Sequence, residues 1–192
     1  MTRLHLVRHG PTHAKGMVGW SDLPADLSDM RAVARLTAFL PEDAVIVSSD
    51  LKRCVATAQA IADDRPMLPP QDALREIHFG EWELRRHSEI TETHPETSRA
   101  FWSTPGDVRP PGGETWNEMR ARVDPAIDAL IAAHEGRDII VVGHFGMILG
   151  QVQRARGVTP REALGQKIDN LSVTEITWSP DGWTVGRVSH LP

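Results

Sequence analysis

Three short apolar runs, each stopping at a cluster of polar or glycine residues, constrain this chain of 192 residues more than any other feature. Leu4 to Val7 runs into Arg8-His9-Gly10, Ala44 to Val47 into Ser48-Ser49-Asp50, and Ile139 to Val142 into Gly143-His144-Phe145-Gly146. Runs of this kind are what strands look like when a parallel sheet buries both their faces, although short runs also occur as pieces of helix.

Helical patterns lie between them. Ser28 is placed to cap a helix with apolar positions at Met30, Val33, Leu36 and Leu40, and Ser49 another through Leu51, Val55, Ala58 and Ile61. Thr115 and Glu118 have the spacing of a capping box, followed by a stripe of Trp116, Met119, Val123, Ile127, Leu130 and Ile131 near a 3.6-residue period. Pro125 falls inside that stripe and is expected to kink the helix rather than end it. A further helix should follow Gly146 and stop at Gly157, and Thr159-Pro160-Arg161-Glu162 opens another. Ser172 to Trp178 and Trp183 to Val188, flanking Ser179-Pro180-Asp181-Gly182, read as strand, turn and strand. The expected fold is therefore α/β: a three-layer sandwich with a mostly parallel central sheet, helices on both faces and an antiparallel edge strand. Residues 1–192 are expected to form a single domain. The stretch from about 76 to 113, rich in charge, histidine and proline, suits a small cap or lid.

Composition removes several functions. A formal charge of −5 argues against a general nucleic-acid grip, so an anionic substrate must be held by a local group of cations. One cysteine allows no internal disulfide, and no apolar stretch is long enough for a signal peptide or a membrane span, which points to the cytoplasm. No His-Glu-x-x-His or paired-cysteine spacing suggests a metal, and no glycine-rich phosphate loop or nucleophile elbow occurs. Cys54 has Ala60, not arginine, six positions on, so a cysteine-phosphatase loop is absent.

What remains is chemistry at strand ends, where open α/β sheets bind ligands. If the three strands are neighbours, His9 and His144 meet Arg8 and Arg53 around one crevice. Imidazole is a competent nucleophile near neutral pH, and guanidinium groups match the oxygens of a phosphoryl group.

The chain resembles the histidine phosphatase, or phosphoglycerate mutase-like, superfamily. Arg8-His9-Gly10-Pro11-Thr12 is similar to its RHGxT signature, and four further blocks occur in family order: Gly19 to Asp22, Ser49 to Arg53 with Thr57-Ala58, Leu74 to Glu83, and Pro111 to Thr115. Gly143-His144 completes the set. The resemblance implies that His9 attacks phosphorus, that Arg8, Arg53 and His144 bind its oxygens, and that Glu76 protonates the leaving oxygen and later helps to activate water. Burial and the anionic substrate should raise the pKa of Glu76. Thr12, Lys15, Glu114 and Phe145 are candidate substrate contacts. No cofactor and no metal are implied, and the partner is a small phosphorylated metabolite, with neither nucleic acid nor membrane. The chain departs from the family at Pro11, where an acidic residue is frequent, at Lys15, near a common asparagine, and at Phe145 and Leu84, where glycine is usual. The expected activity is phosphomonoester hydrolysis without a metal, through a phosphohistidine. Alternatives are a phosphoglycerate mutase, an alpha-ribazole phosphatase-like cobalamin-pathway enzyme, and a silent phosphate-binding domain. A homodimer is left open.

Overall fold

The computed structural model describes residues 1–192. Its sheet has five strands, β1 (Thr2–Arg8), β2 (Val45–Ser48), β3 (Asp138–Gly143), β4 (Val173–Ser179) and β5 (Gly182–Val185), in the order β2-β3-β1-β4-β5. β1 and β2 both pair with β3 in parallel, whereas β4 is antiparallel to β1 and to β5. The predicted parallel core thus carries an antiparallel hairpin at one edge. Register aligns the strand ends: Arg8 lies opposite Gly143, and Ser48 opposite Val142. The chain therefore leaves all three parallel strands at the same end of the sheet, delivering His9, Ser49 and His144 side by side.

Seven helices complete the fold: α1 (Met30–Phe39), α2 (Lys52–Ile61), α3 (His87–Thr93), α4 (Pro95–Ser103), α5 (Trp116–Ala133), α6 (Phe145–Arg156) and α7 (Pro160–Leu164). Alternation along the strands sends Val7, Ile46 and Val142 toward α1 and α2, packing with Leu36, Cys54 and Ile61. Leu4, Leu6, Val47 and Val141 point to the other face, against Met119 and Ile127 of α5 and Ile148 of α6. The sandwich has the expected helices on both faces. Trp82, Ile90 and Phe101, from the segment between residues 76 and 113, pack into this second layer.

The stripe predicted for α5 is buried at all six positions. Burying six large side chains contributes roughly 10–15 kcal/mol gross, against about 3 kcal/mol for an interior proline, so the stripe wins. The helix runs unbroken through Pro125, and the carbonyl at Ala121 that Pro125 cannot serve lies on an exposed face with it. Thr115 with Glu118 and Thr159 with Glu162 form the expected capping boxes, and Gly157 ends α6 in the left-handed conformation.

Two expected caps are corrected. α1 is capped by Asp29, whose side chain accepts from the Ala32 N–H, rather than by Ser28, and Met30 is 78% exposed instead of inside the stripe. α2 begins at Lys52, and its first N–H is accepted by Asp22 from a distant loop at 2.7 Å. Ser49 lies too far upstream to cap it, and its hydroxyl instead accepts from Leu51 N–H at 3.4 Å. No helix is long and apolar enough to cross a membrane.

Candidate active site

His9 comes directly after β1 and is 7% exposed. Its backbone N–H donates to Gly143 O of β3, and Asn170 donates to its carbonyl at 2.7 Å, so the residue is fixed from both sides. The ring Nδ1 lies 2.7 Å from Gly10 O, an acceptor only, so Nδ1 carries the proton. Nε2 is left with a lone pair, and Arg53 Nε donates to it at 3.2 Å. Burial, with Arg53 and then Arg8 nearby, pushes the His9 pKa down to about 3, the bond to Gly10 O resisting. The imidazole is neutral at physiological pH, the form a nucleophile needs.

Arg53 is fully buried on the first turn of α2 and spreads its donors in a fan. Besides His9 it reaches Gly19 O at 2.6 Å, Ser21 O at 2.8 Å and the Nδ1 of His144 at 3.1 Å. Only a planar, five-donor group serves such divergent acceptors. Burial lowers its pKa, opposed by Cys54, Glu76 and Glu83. Thr57, one turn on, accepts from Gly10 N–H at 3.0 Å and donates to Arg53 O, tying α2 to the loop after β1. The rings of His9 and His144 stand edge to face with centroids 5.3 Å apart. Burial first, then His9 and Arg53, hold the His144 pKa well below its usual value.

Arg8 donates to Ile168 O at 2.6 Å and lies over the Phe145 ring at 5.5 Å, while its Nε is buried without a partner. Burial lowers the Arg8 pKa, which Glu76 and Asp169 oppose.

Glu76 is 5% exposed. Its Oε2 accepts from Gly146 N–H at 2.9 Å, and its Oε1 from Met147 N–H at 3.2 Å and Ile77 N–H at 3.0 Å. The carboxyl thus sits at the amino end of α6, where free N–H groups are expected. Gly146 makes this approach possible, since a Cβ there would lie 2.5 Å from Oε1. Burial raises the Glu76 pKa; the N–H groups of Gly146 and Ile77, then Arg53 and Arg8, pull against it. A cavity of about 30 Å³ beside the carboxyl is walled by Ile77, Phe79, Phe101, Trp116, Phe145 and Leu164. A larger groove, about 600 Å³ along α1 and α2, carries none of the strand-end residues.

The structure therefore brings His9, Arg53 and His144 into direct contact, sets Glu76 over the start of α6 and Arg8 against Phe145. The other candidates lie differently. Glu114 is engaged by Arg122 at 2.8 and 3.1 Å and by His78 N–H at 3.2 Å, bracing the segment that carries Glu76. Lys15 is exposed and Thr12 half-buried. No group of three or more His, Cys, Asp or Glu side chains is arranged to hold a metal ion.

Sequence reasoning missed Glu83. Its carboxylate accepts from the N–H groups of Gly19, Trp20, Ser21 and Phe79 and from the Ser21 hydroxyl, at 2.6–3.2 Å. Burial would raise its pKa, but the Ser21 hydroxyl and these N–H groups outweigh that and hold it below the usual carboxylate range. It sculpts the loop whose carbonyls receive Arg53. Trp20 and Thr57 lie in blocks that carry the resemblance but had no role read for them, and Asn170 lies outside those blocks; their contacts join residues far apart in the chain.

A neutral imidazole lone pair, two guanidinium groups and a carboxyl of raised pKa form a set able to receive and pass on a phosphoryl group. Comparison with known proteins agrees. The sequence profile of the histidine phosphatase superfamily (branch 1) matches residues 4–190. Phosphoglycerate mutase-like protein 4 of Arabidopsis thaliana is 34% identical, over 97% of this chain and 85% of its own. The metal-independent phosphoserine phosphatase of the same plant is 30% identical, over 100% and 84%. Among solved structures, YhfR of Bacillus stearothermophilus superposes with a TM-score of 0.91 at 26% identity, covering 100% of this chain and 98% of that one.

Proposed function

The chain belongs to the histidine phosphatase superfamily (branch 1), and we propose that within it the protein is a metal-independent phosphomonoesterase acting on a small phosphorylated metabolite. The observation that carries this reading is the His9 ring: Nδ1–H is held by Gly10 O, and the Nε2 lone pair points to a guanidinium that can receive phosphoryl oxygens.

In the first step the Nε2 lone pair bonds phosphorus and the ester P–O bond breaks. Glu76 gives its proton to the departing oxygen. Arg8, Arg53 and His144 hold the equatorial oxygens, Arg53 exchanging bonds to protein acceptors for bonds to the ligand. In the second step water attacks phosphorus and passes a proton to the Glu76 carboxylate. The N–P bond breaks, and neutral His9 and inorganic phosphate are restored. Residues 76–113 act as a cap that walls the leaving group.

Rapid mixing with a radiolabelled aryl phosphate and an alkaline quench should leave protein-bound label that acid releases. His9→Ala should lose the label and at least about 10⁴-fold in turnover. Hydrolysis by His9→Ala at the parent rate would remove the mechanism. The pH profile of kcat/KM, which reports the free enzyme, offers a second check. His9, with its pKa near 3, imposes no acid limb until about that pH. Glu76 must hold its proton, so activity should fall as pH rises through its raised pKa, and Glu76→Gln should abolish that alkaline limb.

A further inference from the structure

We infer that Trp20 is the positioning residue for Glu76, the link that keeps the acid aligned as it gains and loses its proton. The inference rests on the reading of Glu76 as general acid.

Glu76 is anchored at two ends. At the carboxyl end its partners are backbone N–H groups, of Gly146, Met147 and Ile77. Those donors suit the anion. Once protonated, the carboxyl has one oxygen that is itself a donor, and that oxygen must turn from an N–H toward the leaving oxygen. The anchor that does not change with protonation is the Glu76 backbone carbonyl. It accepts from the Trp20 indole N–H at 2.7 Å and from Arg122 Nη2 at 3.2 Å.

Trp20 is itself held on every available handle. The guanidinium carbons of Arg75 and Arg122 lie over its ring, 4.8 and 5.7 Å from the centroid, and His78 meets it edge to face at 4.8 Å. Arg75 is locked by two bonds to Asp50, at 2.7 and 2.5 Å. The Trp20 backbone N–H donates to Glu83 at 2.8 Å. Its chain neighbours Gly19 and Ser21 supply the carbonyls that receive Arg53. One tripeptide therefore touches both the phosphoryl-binding guanidinium and the backbone of the acid. A phenylalanine at this position would keep an aromatic face for the guanidinium groups while losing the donor and one ring of the indole.

The test compares kcat/KM for the parent, Trp20→Phe and Glu76→Gln on two substrates. A nitrophenyl phosphate releases a stable phenolate that needs no proton, whereas an alkyl phosphate needs one. Glu76→Gln should lose about 10³-fold on the alkyl ester and tenfold or less on the aryl ester. Trp20→Phe should show the same split, roughly tenfold against less than about twofold, since one aligning contact is gone. A structural role alone would lower both equally. Equal losses in Trp20→Phe, or none, beside a clear split in Glu76→Gln would overturn the positioning role and leave the acid standing. Absence of the split in Glu76→Gln would overturn both. If Trp20→Phe does not fold, Arg75→Gln decides the matter: it keeps the indole donor but removes one guanidinium from the ring. A smaller split supports the inference, and equal loss on both esters sinks it.

Discussion

The floor of the pocket and the wall that carries Glu76 hold their side chains by different means. The floor is an outcome of strand pairing. His9, Ser49 and His144 each come directly after a strand, and their placement is set by ladders that run the length of β1, β2 and β3. Additional backbone bonds, such as Arg8 N–H to Ser172 O and Leu171 N–H to Arg8 O, reinforce it. The wall, from Glu76 to Leu84, contains no strand, only a short turn of tight helix at Gly80–Trp82. Isolated backbone bonds tie it to other loops, Leu84 N–H to Met17 O, Glu81 N–H to Pro111 O and Glu114 N–H to His78 O, and side chains reaching across the fold do the rest: Trp20, Arg122 with Glu114, and Glu83. A continuous backbone ladder survives most single substitutions, whereas a wall that leans on a few polar side chains between isolated backbone bonds is more sensitive to their loss. Damage to the floor should remove chemistry, and damage to the wall should disturb its aim or its stability.

The sharpest test of that contrast is Arg53→Lys, which keeps the charge and loses the fan of donors. It should cost about 10³-fold in kcat/KM on alkyl and aryl esters alike, because both need the phosphoryl oxygens held. A large difference between the two esters would erase the distinction between floor and wall. Next comes Glu83→Ala, which leaves several partly buried donors without their acceptor. Denaturant unfolding should show a loss of roughly 2–4 kcal/mol at neutral pH. The Glu83 pKa is depressed by folding, so its contribution is complete above the ordinary glutamate value of about 4.3 and disappears as pH falls through the lower folded value. The gap between parent and variant should accordingly narrow in acid; a gap independent of pH would contradict the assignment. The smallest effect belongs to Leu84, which is 52% exposed with φ at 62°. Leu84→Gly should relieve the left-handed strain and raise stability by up to about 1 kcal/mol, with turnover unchanged. A loss of stability would mean that the leucine side chain anchors the wall after all.

The same division explains what could be read from the residues alone. His9 and His144 stand just beyond the end of an apolar run, and Arg53 follows the remaining run after a short turn at the start of α2, so the three could be placed together from local pattern. The capping boxes at Thr115 and Thr159 were legible for the same reason. At Ser28 and Asp29 two competent caps are adjacent, and the helix uses the second, which local pattern does not decide. The wall was legible only by resemblance. Trp20 and Glu76 are 56 positions apart, Gly19 and Glu83 are 64, and no periodicity relates such pairs. The unusual Leu84 acquires its meaning from the structure: the position takes a left-handed φ of 62°, a conformation that glycine accepts without strain and that this chain adopts with a side chain attached.

Gly146 shows where the fold gives up helix propensity for a buried carboxyl. It lies in the first turn of α6, where alanine would steady the helix by about 1 kcal/mol relative to glycine. Yet the added methyl would lie 2.5 Å from Oε1 of Glu76, in the space the carboxyl occupies. A sturdier helix and room for that carboxyl thus make opposite demands on this one position, and glycine meets the second.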